Sequence, residues 1–404
     1  MSIARPRPPP RPHSSAGGMC YNARHMTPAY DVIIIGLGGM GSAAAYHAAR
    51  RGRRVLGIER HTIAHTLGSS HGRSRIIRQA YFEDPAYVPL LLRAYELWRQ
   101  IERDSGAHLL TITGGLMIGS PESHTVAGAL RSAQEHGLEY ELLDAATIRR
   151  RFPPLRPPEG TVALYEHQAG FVRPEASVAA HLQRAAALGA DLRFEEPALT
   201  WEADAGGVTV TTTRTHYVAE RLIVAPGPWA PRLLADPGVP LVVERQTLHW
   251  FAPKGGVEPF LPDRFPIYIW EAEDGTQFYG FPHQEGPPGG VKVALFRAGE
   301  PCDPDTVDRA VHPAEIAAMR SAIAHRIPTL NGKHLASAVC MYTTTPDQHF
   351  VVGLHPQHPN VVIASPCSGH GFKFASVMGE ILTDLALDGA TRHPIRLFDP
   401  QRFH

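Results

Sequence analysis

The chain has 404 residues, enough for two domains around a large core. Apolar residues make up 43% and charged residues 19%, as in an ordinary globular enzyme rather than a disordered chain. Lys plus Arg equals Asp plus Glu at 39 each, so no charge excess draws it to nucleic acid or an anionic membrane. No apolar run approaches the ~20 residues of a membrane span. Cys20, Cys302, Cys340 and Cys367 lack metal-ligand spacing and are too few for a disulfide framework, so a reducing cytoplasm is expected and no metal. Residues 1–26 are rich in Pro, Arg and Ser, have no apolar signal core, and are expected to be a disordered tail ahead of a second candidate start at Met26.

The stretch 30–59 reads as strand, glycine turn, helix, strand. Val32 to Ile35 is a continuous apolar run, as in a strand buried on both faces. Gly36, Gly38 and Gly41 form G-x-G-x-x-G: one glycine for the turn, one for close approach of a pyrophosphate, one for helix–strand packing. The helix that follows offers free N–H groups and a positive dipole end to phosphates. Val55 to Ile58 is the second strand. Glu59 at its end suits a bidentate bond to a ribose diol. This pattern points to a bound dinucleotide and leaves NAD and FAD open.

Residues 61–81 form a polar loop with three arginines in six positions, Arg73, Arg75 and Arg78. It is either a solvated basic loop or a cluster meeting a cofactor and a substrate carboxylate. On a helical turn Arg75 and Arg78 would share a face. Asp84-Pro85 opens a helix whose apolar stripe runs from Val88 to Ile101 and ends near Gly106. Thr111 to Ile118 is predicted as a strand, 122–136 and 144–151 as helices, 162–172 as a short strand and turn, and Glu175 to Leu188 as a helix opened by Pro174. Runs 191–194, 208–213 and 216–218 predict a β meander. Residues 221–234 then repeat the strand, glycine turn and helix, with Gly227 and Trp229 where a cofactor ring would be covered.

From Arg245 the period becomes two. Runs 245–252, 265–271, 276–281 and 290–296 predict a four-stranded antiparallel sheet, with Glu273-Asp274-Gly275 as a hairpin turn. Such a sheet would roof the redox face. Tyr279, Lys292 and Phe296 are its candidate inward residues, Lys292, Ala294 and Phe296 sharing a face by alternation. Lys292 is either an edge charge or a cation kept beside the cofactor. A helix from Pro313 to Ile327 follows, then the run A-S-A-V-C-M-Y-T-T-T-P-D at 336–347, strands 349–354 and 361–364, and S-G-H-G-F-K-F opening a helix to Leu387. The N–H groups of Gly369, His370 and Gly371, with Lys373, would serve the anionic edge of a flavin.

The glycine turn, the loop S-S-H-G-R-S-R-I-I-R-Q-A-Y, the run V-C-M-Y-T-T-T-P-D and S-G-H-G-F-K-F together resemble the monomeric sarcosine oxidase and N-methyltryptophan oxidase family, FAD amine oxidases of the D-amino-acid-oxidase-like superfamily. The resemblance spans about residues 28 to 400. It implies an α/β fold with α+β inserts: a Rossmann-like FAD-binding domain (27–85, 150–235 and 330–404) and an interleaved substrate domain on an antiparallel sheet (86–149 and 236–329). It implies FAD rather than NAD, attached through Cys340, and oxidative demethylation of an N-methyl amino acid such as sarcosine or N-methyl-L-tryptophan by O₂, giving formaldehyde and hydrogen peroxide. A cyclic imino acid oxidase and a NAD-dependent dehydrogenase are the alternatives. By the same resemblance Arg78 and Lys373 clamp the substrate carboxylate, His71 and Arg75 lie close to the flavin, Lys292 promotes electron transfer to O₂, and Tyr279 and Tyr342 line the pocket. Gly36, Gly38, Gly39, Met40, Gly41, Glu59, Arg60, Ser70, His71, Arg75, Gly227, Trp229, Cys340, Gly369, His370, Gly371 and Lys373 are the candidate cofactor contacts. A monomer with no nucleic-acid or membrane partner is expected. Two departures bear on the substrate: Phe296 stands where sarcosine oxidases carry a histidine, and Pro366-Cys367 replaces a Gly-aromatic pair.

Overall fold

The computed structural model describes residues 29–234 and 238–403, so the expected tail lies outside the described residues. Two large sheets carry the fold. The first has eight strands, in the order Ala198–Asp204, Gly207–Thr212, His216–Val224, Tyr30–Ile35, Val55–Ile58, Asp191–Arg193, with Val361–Ser365 and Val351–Leu354 added beside His216–Val224. Its centre is parallel: Tyr30–Ile35 pairs with Val55–Ile58 on one side and His216–Val224 on the other. Both neighbours bury its apolar run, and Val32, Ile33 and Ile34 have no exposed surface.

The run 216–218 and the strand after residue 221 are a single strand, correcting their separate reading. Its first half pairs antiparallel with Gly207–Thr212 and its second half parallel with Val361–Ser365. The meander and the central sheet are therefore continuous. Helices Gly39–Arg50, Val88–Ser105, Pro174–Ala187 and Ala375–Asp388 pack on one face, around a core that includes Leu91, Trp98, Met378 and Leu382.

The second sheet has nine strands rather than four. Val242–Ala252, Val291–Leu295, Gln277–Gly280 and Ile267–Glu271 form the predicted antiparallel core. Gly115–Gly119 adds to Ile267–Glu271 in parallel, and Val162–Glu166 and Glu141–Asp144 follow. Lys333–Thr344 pairs along nearly the whole length of Val242–Ala252. Two stretches that sequence grouped with the dinucleotide domain, Val162–Glu166 and Lys333–Thr344, thus hydrogen-bond into the roof sheet. The predicted strand from Thr111 to Ile118 is two strands. Gly114, at φ +71°, turns the chain from a small third sheet into the large one.

Arg75–Ile77 is a strand of that small sheet, not a helical turn. Arg78 lies just past the strand's end, so the pair is not on a helical turn, yet both side chains line one cavity.

The glycine turn is tightly built. A Cβ on Gly41 would lie 1.8 Å from the Gly36 carbonyl oxygen, so the helix can start only where position 41 has no side chain. Gly41→Ala is expected to cost about 2–3 kcal/mol through overpacking. Gly52→Ala, at φ +73° but with open space around it, should cost about 1 kcal/mol from backbone strain alone. Urea midpoints of the two variants check this ranking.

Candidate active site

One cavity of about 420 Å³ is lined by both sheets and by the loops between them. At one end it meets the glycine turn: Gly36, Gly38, Gly39 and Met40, then Glu59, Arg60 and Ser70. Helix Gly39–Arg50 begins here, and its N-cap residue Gly38 has no side chain to cap it. The Gly39 N–H donates to Ser70 Oγ at 3.0 Å. Glu59 accepts from the N–H groups of Leu37 (2.9 Å) and His61 (3.0 Å). Burial alone would raise its pKa, yet His65 and those donors hold it below the ordinary carboxylate range. Gly227 and Trp229 close this end, with the Arg60 guanidinium 4.5 Å from the Trp229 ring centre. A helix N-terminus, side-chain-free backbone and an ionised acid at the next strand's tip suit the diphosphate and ribose of a dinucleotide.

At the other end stand Arg75, Arg78, Cys340, Tyr279, Tyr342, Phe296, Gly369, Gly371 and Lys373. Arg75 donates to the Ser69 carbonyl at 2.8 Å and to Cys340 Sγ at 3.3 Å. Ser69 in turn donates to the Met341 carbonyl at 2.7 Å, tying this loop to the strand that carries Cys340. Phe296 sits edge-on to Tyr279 and Tyr342, with ring centres 6.3 and 6.2 Å away, so three aromatic rings wall this end.

Arg78 is 1% exposed and pairs with Glu83 at 2.5 Å. Burial would push the Glu83 carboxyl up. Arg78, helped by His370 and Lys373, instead holds it at about 2, so Glu83 stays ionised inside the cavity wall. Lys373 Nζ donates to the His370 carbonyl at 2.6 Å and lies 3.4 Å from the Tyr81 hydroxyl. Burial first, and Arg78 second, bring its ammonium down to about 7. The backbone that follows Arg78 is fixed by Glu166, which accepts from Gln79 N–H (2.7 Å) and Ala80 N–H (2.8 Å).

Three predicted site residues do not line the cavity. Gly41 faces the strand beneath its helix. His71 is buried, with its pKa lowered to about 3 by burial and by Arg75, and its Nε2 has no hydrogen-bond partner. Lys292 is buried on an interior strand, which removes the edge-charge reading. It lies behind the loop, donating to the Gly72 (2.8 Å) and Ser74 (2.7 Å) carbonyls, 4.5 Å from the Phe281 ring centre. Burial, then Arg75, pull its pKa well below the lysine range. His370 lines the cavity, but its ring turns away: Nδ1 meets the Tyr81 hydroxyl and Nε2 the Gln348 carbonyl at 3.0 Å.

Sequence reasoning passed over Glu83, an acid five residues after Arg78 in a basic stretch. It also passed over Tyr81, the last residue of the quoted loop motif. Among the described residues no cluster of His, Cys, Asp and Glu could hold a metal, and no helix is long and apolar enough to cross a membrane.

Residues 31–385 match the family model described as FAD dependent oxidoreductase. Over 378 residues the chain is 57% identical to a monomeric sarcosine oxidase of Streptomyces avermitilis, covering 93% of this chain and 98% of that protein. It is 34% identical to an N-methyl-L-tryptophan oxidase of Salmonella arizonae, covering 93% and 99%. Among solved structures, NikD, an amino acid oxidase essential for nikkomycin biosynthesis, superposes with a TM-score of 0.81 at 26% identity, over 93% of this chain and 98% of that one.

Because the Arg78–Glu83 pair is almost wholly withdrawn from solvent, its halves do not survive separately. Glu83→Ala leaves a buried guanidinium unpaired and is expected to cost about 3 kcal/mol or more. Glu83→Gln, which keeps one acceptor, should cost less. Denaturant unfolding of the two variants measures the difference.

Proposed function

The chain belongs to the FAD-dependent oxidoreductase family, and from that premise we propose that it is an oxidase of N-methyl amino acids, converting them to the amino acid, formaldehyde and hydrogen peroxide. The observation that carries this reading is a single cavity with a dinucleotide cradle at one end and two buried cations, Arg78 and Lys373, at the other.

Bound FAD supplies the acceptor for the two electrons of C–N bond oxidation and passes them on to O₂. The protein's part is to hold, orient and exclude water. Arg78 offers a planar guanidinium and Lys373 a point charge, and together they would fix a substrate carboxylate at one end of the pocket. Tyr279, Phe296 and Tyr342 supply an apolar wall against which a secondary amine would sit with little water. No residue need act as a base, because the substrate amine can shed its proton on entering a site rich in positive charge. Phe296 puts a phenyl ring rather than a polar group on this wall, which favours N-methyl amino acids bearing apolar side chains. Cys340, held against Arg75 at the cavity wall, is the proposed point of covalent flavin attachment. Lys292, held by the Gly72 and Ser74 carbonyls, is proposed to serve the oxygen half-reaction from behind the loop.

An assay of peroxide and formaldehyde over sarcosine, N-methyl-L-tryptophan, other N-methyl amino acids, proline and pipecolate tests the proposal. The two products are expected in equal amounts from at least one N-methyl amino acid. Peroxide without formaldehyde from proline or pipecolate alone would replace this reading with ring oxidation. No peroxide from any of them would remove it.

A further inference from the structure

Tyr81 is fully buried at the junction of the two cations of the carboxylate end, and it touches both. The Arg78 guanidinium carbon lies 4.1 Å from its ring centre. Lys373 Nζ lies 3.4 Å from its hydroxyl and 5.2 Å from its ring centre. Behind it, the His370 Nε2 faces the Gln348 carbonyl at 3.0 Å. A carbonyl can only accept, so Nε2 must carry the proton. Nδ1 is then a bare acceptor, and the Tyr81 O–H must donate to it. That leaves the lone pairs of the Tyr81 oxygen for Lys373. The chain of donors therefore runs one way, from Lys373 to Tyr81 to His370, while Nε2–H of His370 is spent on Gln348.

We infer that Tyr81 is the positioning residue of the carboxylate clamp: its ring seats Arg78, and its hydroxyl, aimed by His370, seats Lys373. The inference rests on the reading of Arg78 and Lys373 as the substrate's anion site. A buried lysine has three rotatable donors and no preferred direction of its own. With one donor taken by the His370 carbonyl and one by the Tyr81 oxygen, the third is left free for a ligand. A buried arginine needs its flat faces covered as well as its edges bonded. Tyr81 on one side and Phe82, also at 4.1 Å, cover Arg78.

The test is binding of a plain carboxylate that has no amine, such as propionate, to the flavin-loaded protein, followed by flavin absorbance across pH. Lys373 faces Arg75, Arg78, Glu83, Arg297, Tyr81 and His370. Its pKa of about 7 in the free protein means that affinity is full below that pH, where the ammonium is charged, and declines above it. Tyr81→Phe keeps the ring and removes the acceptor. It is expected to weaken carboxylate binding roughly tenfold, the size of one hydrogen bond to a charged group, and to move the decline to lower pH. With an amino acid substrate KM should rise by a similar factor while kcat changes little. His370→Phe leaves the hydroxyl without its director, should shift the decline the same way by less, and serves if Tyr81→Phe does not fold. Wild-type binding and pH profile in both variants would overturn the inference while leaving the clamp intact. Absence of any spectral response to carboxylates in the unaltered protein would overturn the clamp, and this inference with it.

Discussion

Arg75, Arg78 and Lys373 line one cavity between two sheets, with the buried Lys292 behind its arginine loop, and much of the local backbone answers to their desolvation. A buried charge is tolerated only when its donors are met. Here most are met by main-chain carbonyls: Ser69 and Ser74 for Arg75, Ala80 for Arg78, Gly72 and Ser74 for Lys292, His370 for Lys373. Turning those carbonyls inward requires an irregular chain. Both loops that do so pass through the left-handed region, at Gly72 and Arg73 in one and Ser368 and Gly369 in the other. Carbonyls satisfy the hydrogen bonds but do not cancel the charge. Glu83 does that for Arg78, and the remaining positive charge gives this end of the cavity an appetite for anions.

The two sheets divide the work. The parallel sheet presents a helix N-terminus and Glu59 at one end, the arrangement by which a dinucleotide is usually met at strand carboxyl edges. The roof sheet contributes Tyr279, Cys340 and Tyr342, and places Lys292 just behind the arginine loop. Because Lys333–Thr344 pairs with Val242–Ala252 along its length and then returns to Val351–Leu354 in the first sheet, the two halves are joined beside the cavity.

Much of this was legible in the residues. The glycine turn, both its flanking strands and the four alternating runs of the roof follow from local pattern, because a strand buried on two faces and a strand buried on one leave different periods. The motif resemblance added FAD and the names of the clamp residues. What could not be read was which way side chains point in short irregular segments. Arg75 and Arg78 appear as neighbours on a helical turn until the small sheet makes Arg75 the start of a short strand that ends before Arg78. Lys292 appears as an edge charge or a cavity cation until the nine-stranded sheet makes its strand interior and the loop 72–74 covers it. His370 is read as a cofactor contact through its backbone; that its ring is taken by Tyr81 and Gln348 is visible only in the fold. Tyr81 closes the loop motif, but its role exists only once His370 and Lys373, 289 and 292 positions away, are brought beside it.

The central claim is that Arg78 and Lys373 grip a substrate acid group, and it is tested most directly by removing that group's charge. The ratio of kcat/KM for sarcosine to that for its carboxamide should exceed about a hundredfold, as expected for charge-assisted bonds to two buried cations. The ratio should fall about tenfold in Lys373→Met, which leaves the Arg78–Glu83 pair whole. Equal turnover of acid and amide by the unaltered protein would contradict the account.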